Sequence, residues 1–455
     1  MALTCRTVYA YLIPFVRFWH VRIKERDADN VRHQLYTDFP RRLQFVRELS
    51  LEWTMLADNI FISVPAESDK TVRIAADILT IGRQLEVLRF PSLRDMGNQA
   101  GEYLATACKN STSLKHLDIY HASEHDWAMI GEMEAPLRTL CVRTYMPMLF
   151  SAENFVFPDL ARFASTLEVL TLEAGSGILF RPPSRRCSSL HTLSLSHARS
   201  VHLSSLATLF PNVRVLRIQD IGLSADAGVV SQGGVWPRLD TITSDIRSLS
   251  ALGWRNHVAR LNIICRNIGQ RDFPWLVWYL GLVSPTTFSI TFEFIDNVDW
   301  LKYVTAVRDR CTTLSNLIVY VHLNTELIRQ DAPSKLFQAV CNLFPSTTHL
   351  VLRVKWYTCV IGMNKSLSTR IRQMWSSNSG SKYIGRLTEK TDVRKLILTI
   401  AQHLPRLRFV FVEIVSEGDL YWTIEREQKG KLSARELTPM VGQSVVKERS
   451  LTSPF

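Results

Sequence analysis

The sequence predicts an α/β solenoid: one short parallel strand per coil, each joined to the next by a helical arm. Three observations carry that reading. A six-residue word with apolar residues at its first, fourth and sixth positions, "LEVLTL" at 167–172, returns as "LHTLSL" at 190–195 and "VRVLRI" at 213–218. Its copies are spaced at a repeat-like interval. Prolines stand at a fixed offset before several of them.

The word occurs along most of the chain. All three apolar slots are filled at Val46/Leu49/Leu51, Leu85/Leu88/Phe90, Leu114/Leu117/Ile119, Leu137/Leu140/Val142 and Leu167/Leu170/Leu172. They are filled again at Leu190/Leu193/Leu195, Val213/Leu216/Ile218, Val258/Leu261/Ile263, Leu314/Leu317/Val319 and Leu407/Val410/Val412, with weaker copies from Leu239, Thr287 and Thr347. At 46% hydrophobic residues, chance fills such a window roughly one time in ten, so spacing must decide. First slots at 114, 137, 167, 190, 213, 239, 258, 287 and 314 fall near the roughly 20–29-residue period of short-strand repeats.

Pro211, Pro237, Pro345 and Pro405 each stand two residues before a first slot. Proline and the residue before it disfavour helix, so an arm stops there and the chain turns into a strand. The arms themselves carry helical periodicity. "KLFQAVCNLFP" places Leu336, Phe337, Val340, Leu343 and Phe344 on one face behind Ser334 as N-cap. "RKLILTIAQHLP" does the same with Leu396, Ile397, Ile400 and Leu404. Neither strand nor arm can bury its apolar face alone, so neighbours must stack.

Over residues 45–415 this pattern resembles the leucine-rich-repeat family. The resemblance implies a horseshoe with a parallel concave sheet and a helical convex side. One departure is plain. Where the family often carries Asn or Cys, three residues past the third slot, this chain has Ala122, Tyr145, Gly175, Ala198 and Ile221. Without that side-chain ladder the expected horseshoe is irregular.

The N-terminal segment, residues 1–44, is expected to be a short helical cap. Its stretch "ALTCRTVYAYLIPFVRFWHVRI" resembles the C-terminal half of an F-box as found in fungal F-box/leucine-rich-repeat proteins, through Leu3, Cys5, Arg6, Tyr9, Leu12, Pro14, Val16 and Val21. The opening "LPxE" helix of that module is not in the sequence. The resemblance implies docking of those residues on the adaptor subunit of a cullin–RING ubiquitin ligase, with the repeats holding the ligase's substrate. The alternative is an amphipathic helix that merely caps the first repeat.

Charge is uneven. The net +12 concentrates in residues 353–455, which hold 18 Lys+Arg against 9 Asp+Glu. A polar, Ser/Gly-rich stretch at about 360–391 reads as a loop inserted between repeats, and 416–455 as a basic, loosely ordered tail. An anionic-surface or nucleic-acid role for this region is the third reading. No block of consecutive basic residues or RNA-binding signature accompanies it.

No segment approaches the length of apolar residues a membrane span needs. The apolar run Val8–Val16 is broken by Pro14, which argues against a secretory signal and leaves a mitochondrial presequence as the alternative. The eight cysteines are scattered singly, with no C-x-x-C, which points to a reducing, intracellular setting, cytoplasmic or nuclear. No phosphate-binding, dinucleotide, zinc-protease, nucleophile-elbow or EF-hand motif occurs, so no enzyme activity, cofactor or metal is expected. Function then falls to the strand residues beside the slots. Arg89, Asp118, Tyr120, Arg143, Glu173, Arg217, Gln219 and Asn262 are expected to project toward a bound partner. Their mixed charge suits a protein target better than a nucleic acid, which favours a uniformly basic face.

Overall fold

The computed structural model describes residues 18–24, 27–37, 41–52, 66–96, 98–144, 155–156, 160–174, 178–179, 185–197, 199–220, 222–224, 236–264, 273–294, 313–324, 346–357, 390–414, 418–426, 431–449 and 451. The chain divides into two compact units, residues 1–238 and 239–455. Each is an α/β arrangement built on a mostly parallel open sheet. No helix among the described residues is long and apolar enough to cross a membrane.

In the first unit the sheet runs in sequence order through β1 (His20–Lys24), β2 (Glu48–Glu52), β3 (Val87–Pro91), β4 (His116–Tyr120), β5 (Thr139–Thr144), β6 (Val169–Ala174), β7 (Thr192–Ser196) and β8 (Val215–Gln219). Every adjacent pair is parallel, and the apolar word stays in register across them. Leu49 pairs with Leu88, Leu88 with Leu117, Leu117 with Leu140, Leu140 with Leu170, Leu170 with Leu193 and Leu193 with Leu216. All seven of these leucines are fully buried. A residue slip would turn the whole row to the other face, so burial of one face fixes the register.

A second ladder runs where the strands begin. The carbonyls of Trp19, Arg47, Glu86, Lys115, Arg138, Glu168 and His191 each accept from two successive backbone N–H groups of the next coil, as in Lys115 N and His116 N onto Glu86 O, both at 2.9 Å. Where strands end, His121, His197 and Asp220 adopt left-handed backbone, each two residues past a third slot. Histidine and aspartate are among the few non-glycine residues that tolerate this region. Backbone turns thus stand where an asparagine ladder is absent.

Helices α1 (Ala28–Tyr36), α2 (Ala66–Asp77), α3 (Asn98–Lys109), α4 (Glu124–Glu132) and α5 (Leu203–Leu209) connect these strands. Helix α4 is tied to the preceding coil by a buried carboxylate. Asp126 accepts from Ser123 N at 2.7 Å, Ser92 Oγ at 2.6 Å and Leu93 N at 2.9 Å, which satisfies donors at a helix start and in the neighbouring turn together. Helix α5 stops two residues before Pro211, as the proline offset predicts.

The second unit carries β9 (Thr241–Ser244), β10 (Arg260–Ile263), β11 (Thr287–Phe294), β12 (Asn316–Asn324), β13 (His349–Tyr357), β14 (Phe409–Ile414), β15 (Gly418–Arg426) and β16 (Leu432–Leu437). Within this unit a slot row of Ile242, Leu261, Phe288, Leu317, Leu350 and Val410 is in register. Helices α6 (Ile246–Leu252) and α7 (Phe273–Val283) lie between early strands, α8 (Lys390–His403) precedes β14, and α9 (Pro439–Glu448) follows β16. Ile397 and Ile400 in α8, and Leu404 just past its end, are buried as the periodicity requires. The arm expected at 334–345 lies outside the described residues.

Four expectations need correction. The array does not begin at residue 45. Phe18, Val21 and Ile23 fill the apolar word once more and place β1 parallel to β2, so the 1–44 segment holds a strand as well as a helix. The copy assigned to Thr287 is offset, because Phe288 and Ile290 occupy the slot rows. The sheet is not parallel throughout: β15 and β16 are antiparallel. The described part of the expected loosely ordered tail, 416–455, is therefore two strands and a helix over 418–426, 432–437 and 439–448. Leu420 and Trp422 pair with Val412 and Val410 and extend the slot row by period-two alternation. Arg426 Nη2 donates to Ala401 O at 2.9 Å and Leu404 O at 2.7 Å, tying β15 to the C-terminal end of α8, where a cation is favoured.

Candidate functional site

Side chains alternate across a strand, so the residues flanking each third slot share the sheet face opposite the buried ladder. On that second face in residues 20–219 the structure gathers four of the expected site residues. Tyr120, Arg143 and Glu173 are direct register partners on β4, β5 and β6, and Asp118 lies two residues before Tyr120. The Arg143 guanidinium carbon stands 4.7 Å from the centre of the Tyr120 ring. Arg143 also pairs with Asp118 at 3.4 Å and Glu173 at 3.5 Å, with about a third of its side chain exposed. Tyr120 Oη donates to Asp118 Oδ2 at 3.0 Å. The carboxylates hold the guanidinium over the ring, where a cation is attracted to the aromatic face.

Arg89 belongs to a neighbouring chain of contacts, pairing with Glu48 at 3.6 Å and donating to Ser50 Oγ at 3.5 Å. His116, beside it on β4, has its pKa lowered by burial first and then by Arg89. Cys141, two residues before Arg143 on β5, is buried on the same face. Burial, reinforced by Asp118, pushes its thiol up to about 12, so it stays protonated and unreactive. Arg217 and Gln219 stand on the same face but on β8, three strands from β5, with Arg217 exposed. Asn262 departs from expectation. It is buried in the second unit, where its amide donates to Thr243 Oγ1 at 2.9 Å and accepts from Arg260 Nε at 3.1 Å. A side chain so buried does not project toward a partner.

No family model matches this chain, and no curated protein matches it either.

The second unit contains an arrangement that reading the sequence missed. Tyr320, Arg353 and Glu413 are register partners on β12, β13 and β14. Arg353 lies 5.4 Å from the Tyr320 ring centre, donates to Tyr320 Oη at 3.3 Å, and pairs with Glu413 at 2.9 Å. Both trios, Tyr120–Arg143–Glu173 and Tyr320–Arg353–Glu413, sit one residue past the third slot on three neighbouring strands. That offset was the available signal: tabulating it for every copy of the word returns both.

The two faces differ around these trios. The position just before the third slot holds Asp118, Cys141, Thr171, Ser194 and Arg217 in the first unit. In the second it holds Thr243, Asn262 and Ser289 on β9 to β11 and Ile318, Val351 and Phe411 on β12 to β14. Among the described residues no group of three or more His, Cys, Asp or Glu side chains is placed to hold a metal ion. The residues expected to dock a ligase adaptor, Leu3, Cys5, Arg6, Tyr9, Leu12, Pro14 and Val16, lie outside the described residues. Val21 of the same resemblance is buried in β1.

Proposed function

We propose that the chain is a non-enzymatic protein-interaction protein, an irregular leucine-rich-repeat solenoid that holds a protein target on the second sheet face of residues 20–219. The observation that supports this reading most is the partly exposed Arg143, set between Asp118 and Glu173 over the Tyr120 ring. Arginine and tyrosine are the side chains that protein interfaces favour, and here they are held in place before any partner arrives, which lowers the ordering cost of binding. Alternating charge along β3 to β6 gives a partner a defined register.

Within this reading the resemblance of residues 2–23 makes the chain an F-box-type substrate receptor of a cullin–RING ligase. The test is co-purification of the full chain with the ligase adaptor subunit, with and without Leu12→Asp. Retention of the adaptor by the native chain and its loss in the variant support the receptor. No retention of the adaptor leaves a scaffold without a ligase link.

A further inference from the structure

We infer that β7 and β8 carry a carboxylate-binding contact on the second sheet face of residues 20–219. Its occupant is an aspartate or glutamate side chain of the protein target, held by Arg217, Gln219, Ser194 and Ser196. This rests on the reading that the face holds a protein target, and it names the chemistry of one contact there.

The carboxylates of this face already have cations of their own. Glu48 pairs with His20 at 3.8 Å and with Arg89 at 3.6 Å, Glu52 pairs with Arg22 at 3.0 Å, and Asp118 and Glu173 both pair with Arg143. Strand β7 interrupts the series, because Ser194 and Ser196 stand on either side of its third slot. Arg217 on β8 is left over. It is exposed, and among the described residues it makes no ion pair or hydrogen bond. Lys24 is unpaired in the same way, but it lies on β1, at the far edge of this sheet.

The polar groups around Arg217 are uncommitted too. Ser194 is the register partner of Arg217, and Ser196 of Gln219. Ser194, Ser196 and Gln219 are half-buried, and among the described residues none makes a side-chain hydrogen bond. All four side chains can donate, and none of them is a group that only accepts. Their complement is a group that only accepts, and a carboxylate offers two oxygens to the guanidinium fork with lone pairs left for a hydroxyl or amide. Glu173 does not forbid it. It stands on β6, two strands from β8, so a carboxylate over β8 lies about 10 Å away at about 4.8 Å per strand. That exceeds the screening length of about 8 Å at physiological salt, and Arg143 already counters Glu173 at 3.5 Å.

The experiment uses the full chain and a fluorescein-labelled decapeptide of alternating glutamate and serine, followed by fluorescence anisotropy. The peptide should bind saturably, at least tenfold more tightly than its glutamine counterpart. Arg217→Gln should weaken binding at least tenfold. Arg255→Gln, the same change of charge at an exposed arginine of the second unit, should weaken it less than twofold. Ser194→Ala with Gln219→Ala changes no charge and should weaken it at least threefold; this pair serves if Arg217→Gln fails to fold. No saturable binding, or equal binding of the glutamate and glutamine peptides, overturns the proposal. So do equal losses from Arg217→Gln and Arg255→Gln, since the attraction is then one of net charge alone, and so does an unchanged affinity in the Ser194→Ala, Gln219→Ala variant. Crosslinking of a whole protein to the second face is read separately. A crosslinked protein without glutamate preference removes this inference alone, whereas no crosslinked protein removes the functional reading itself.

Discussion

Leu193→Ala is the substitution that probes the buried ladder most sharply. Leu193 is fully buried on β7, in register between Leu170 of β6 and Leu216 of β8. The change removes three carbons, worth about 2.5 kcal/mol at about 0.8 kcal/mol per methylene. A residual cavity on the order of 60 Å³ adds about 1.4 kcal/mol at about 24 cal/mol per Å³. The flanking leucines belong to regular strands and cannot collapse far, so the loss should be about 3–4 kcal/mol. Ser194→Ala, one residue on, faces the other side and should cost less than about 0.5 kcal/mol. Urea unfolding followed by circular dichroism checks the pair. With a slope of about 3 kcal/mol/M, Leu193→Ala should lower its midpoint by about 1 M while Ser194→Ala leaves it in place. Equal effects from the two substitutions would refute the assignment of faces.

Asp126→Ala should destabilise by about 2–4 kcal/mol, because Ser92 Oγ, Leu93 N and Ser123 N lose a shared buried acceptor; thermal melting reads this directly. Arg426→Ala should free the carbonyls of Ala401 and Leu404 and raise amide exchange in β15 and β16 at least tenfold over the parallel strands. Stability should fall as pH drops below the ordinary histidine value of 6.5. His116 and His349 both have lowered folded-state pKa values, through burial first, then Arg89 for His116 and Arg449 and Arg408 for His349, against smaller opposing effects of Asp118, Glu48 and Glu448. The unfolded chain therefore takes up these protons first, and acid favours it. Melting between pH 7.5 and 5.5 should show the loss, and His116→Gln with His349→Gln should flatten it.

The strand ladder was legible because one buried face imposes a fixed apolar spacing, and the register follows from it. Phe18, Val21 and Ile23 were equally legible as a copy of the word, but they lie inside the stretch that resembles an F-box and were absorbed by it. Strands β15 and β16 escaped because they end the parallel series and carry Glu425, Arg426 and Arg435 among their apolar residues. Their signal is alternation of Leu420, Trp422 and Ile424, which a three-slot search cannot register. Of the site, Asp118, Tyr120, Arg143 and Glu173 were found from their offset alone. Their pairing was not, since it depends on which strands are neighbours. Asn262 failed because Thr243 and Arg260, residues of the same face, claim its amide. Nothing in a local spacing announces a cross-strand hydrogen bond.

Photo-crosslinking in cells tests the central claim most directly. A photoreactive residue at Arg217, exposed on the second face of β8, is compared with one at Glu102, exposed on helix α3. Mass spectrometry should recover a distinct protein adduct from position 217 that is missing at 102 and weakened by Arg143→Ala. Identical adducts at both positions, or none at 217, would contradict the claim that this chain grips a protein through the open side of its strands.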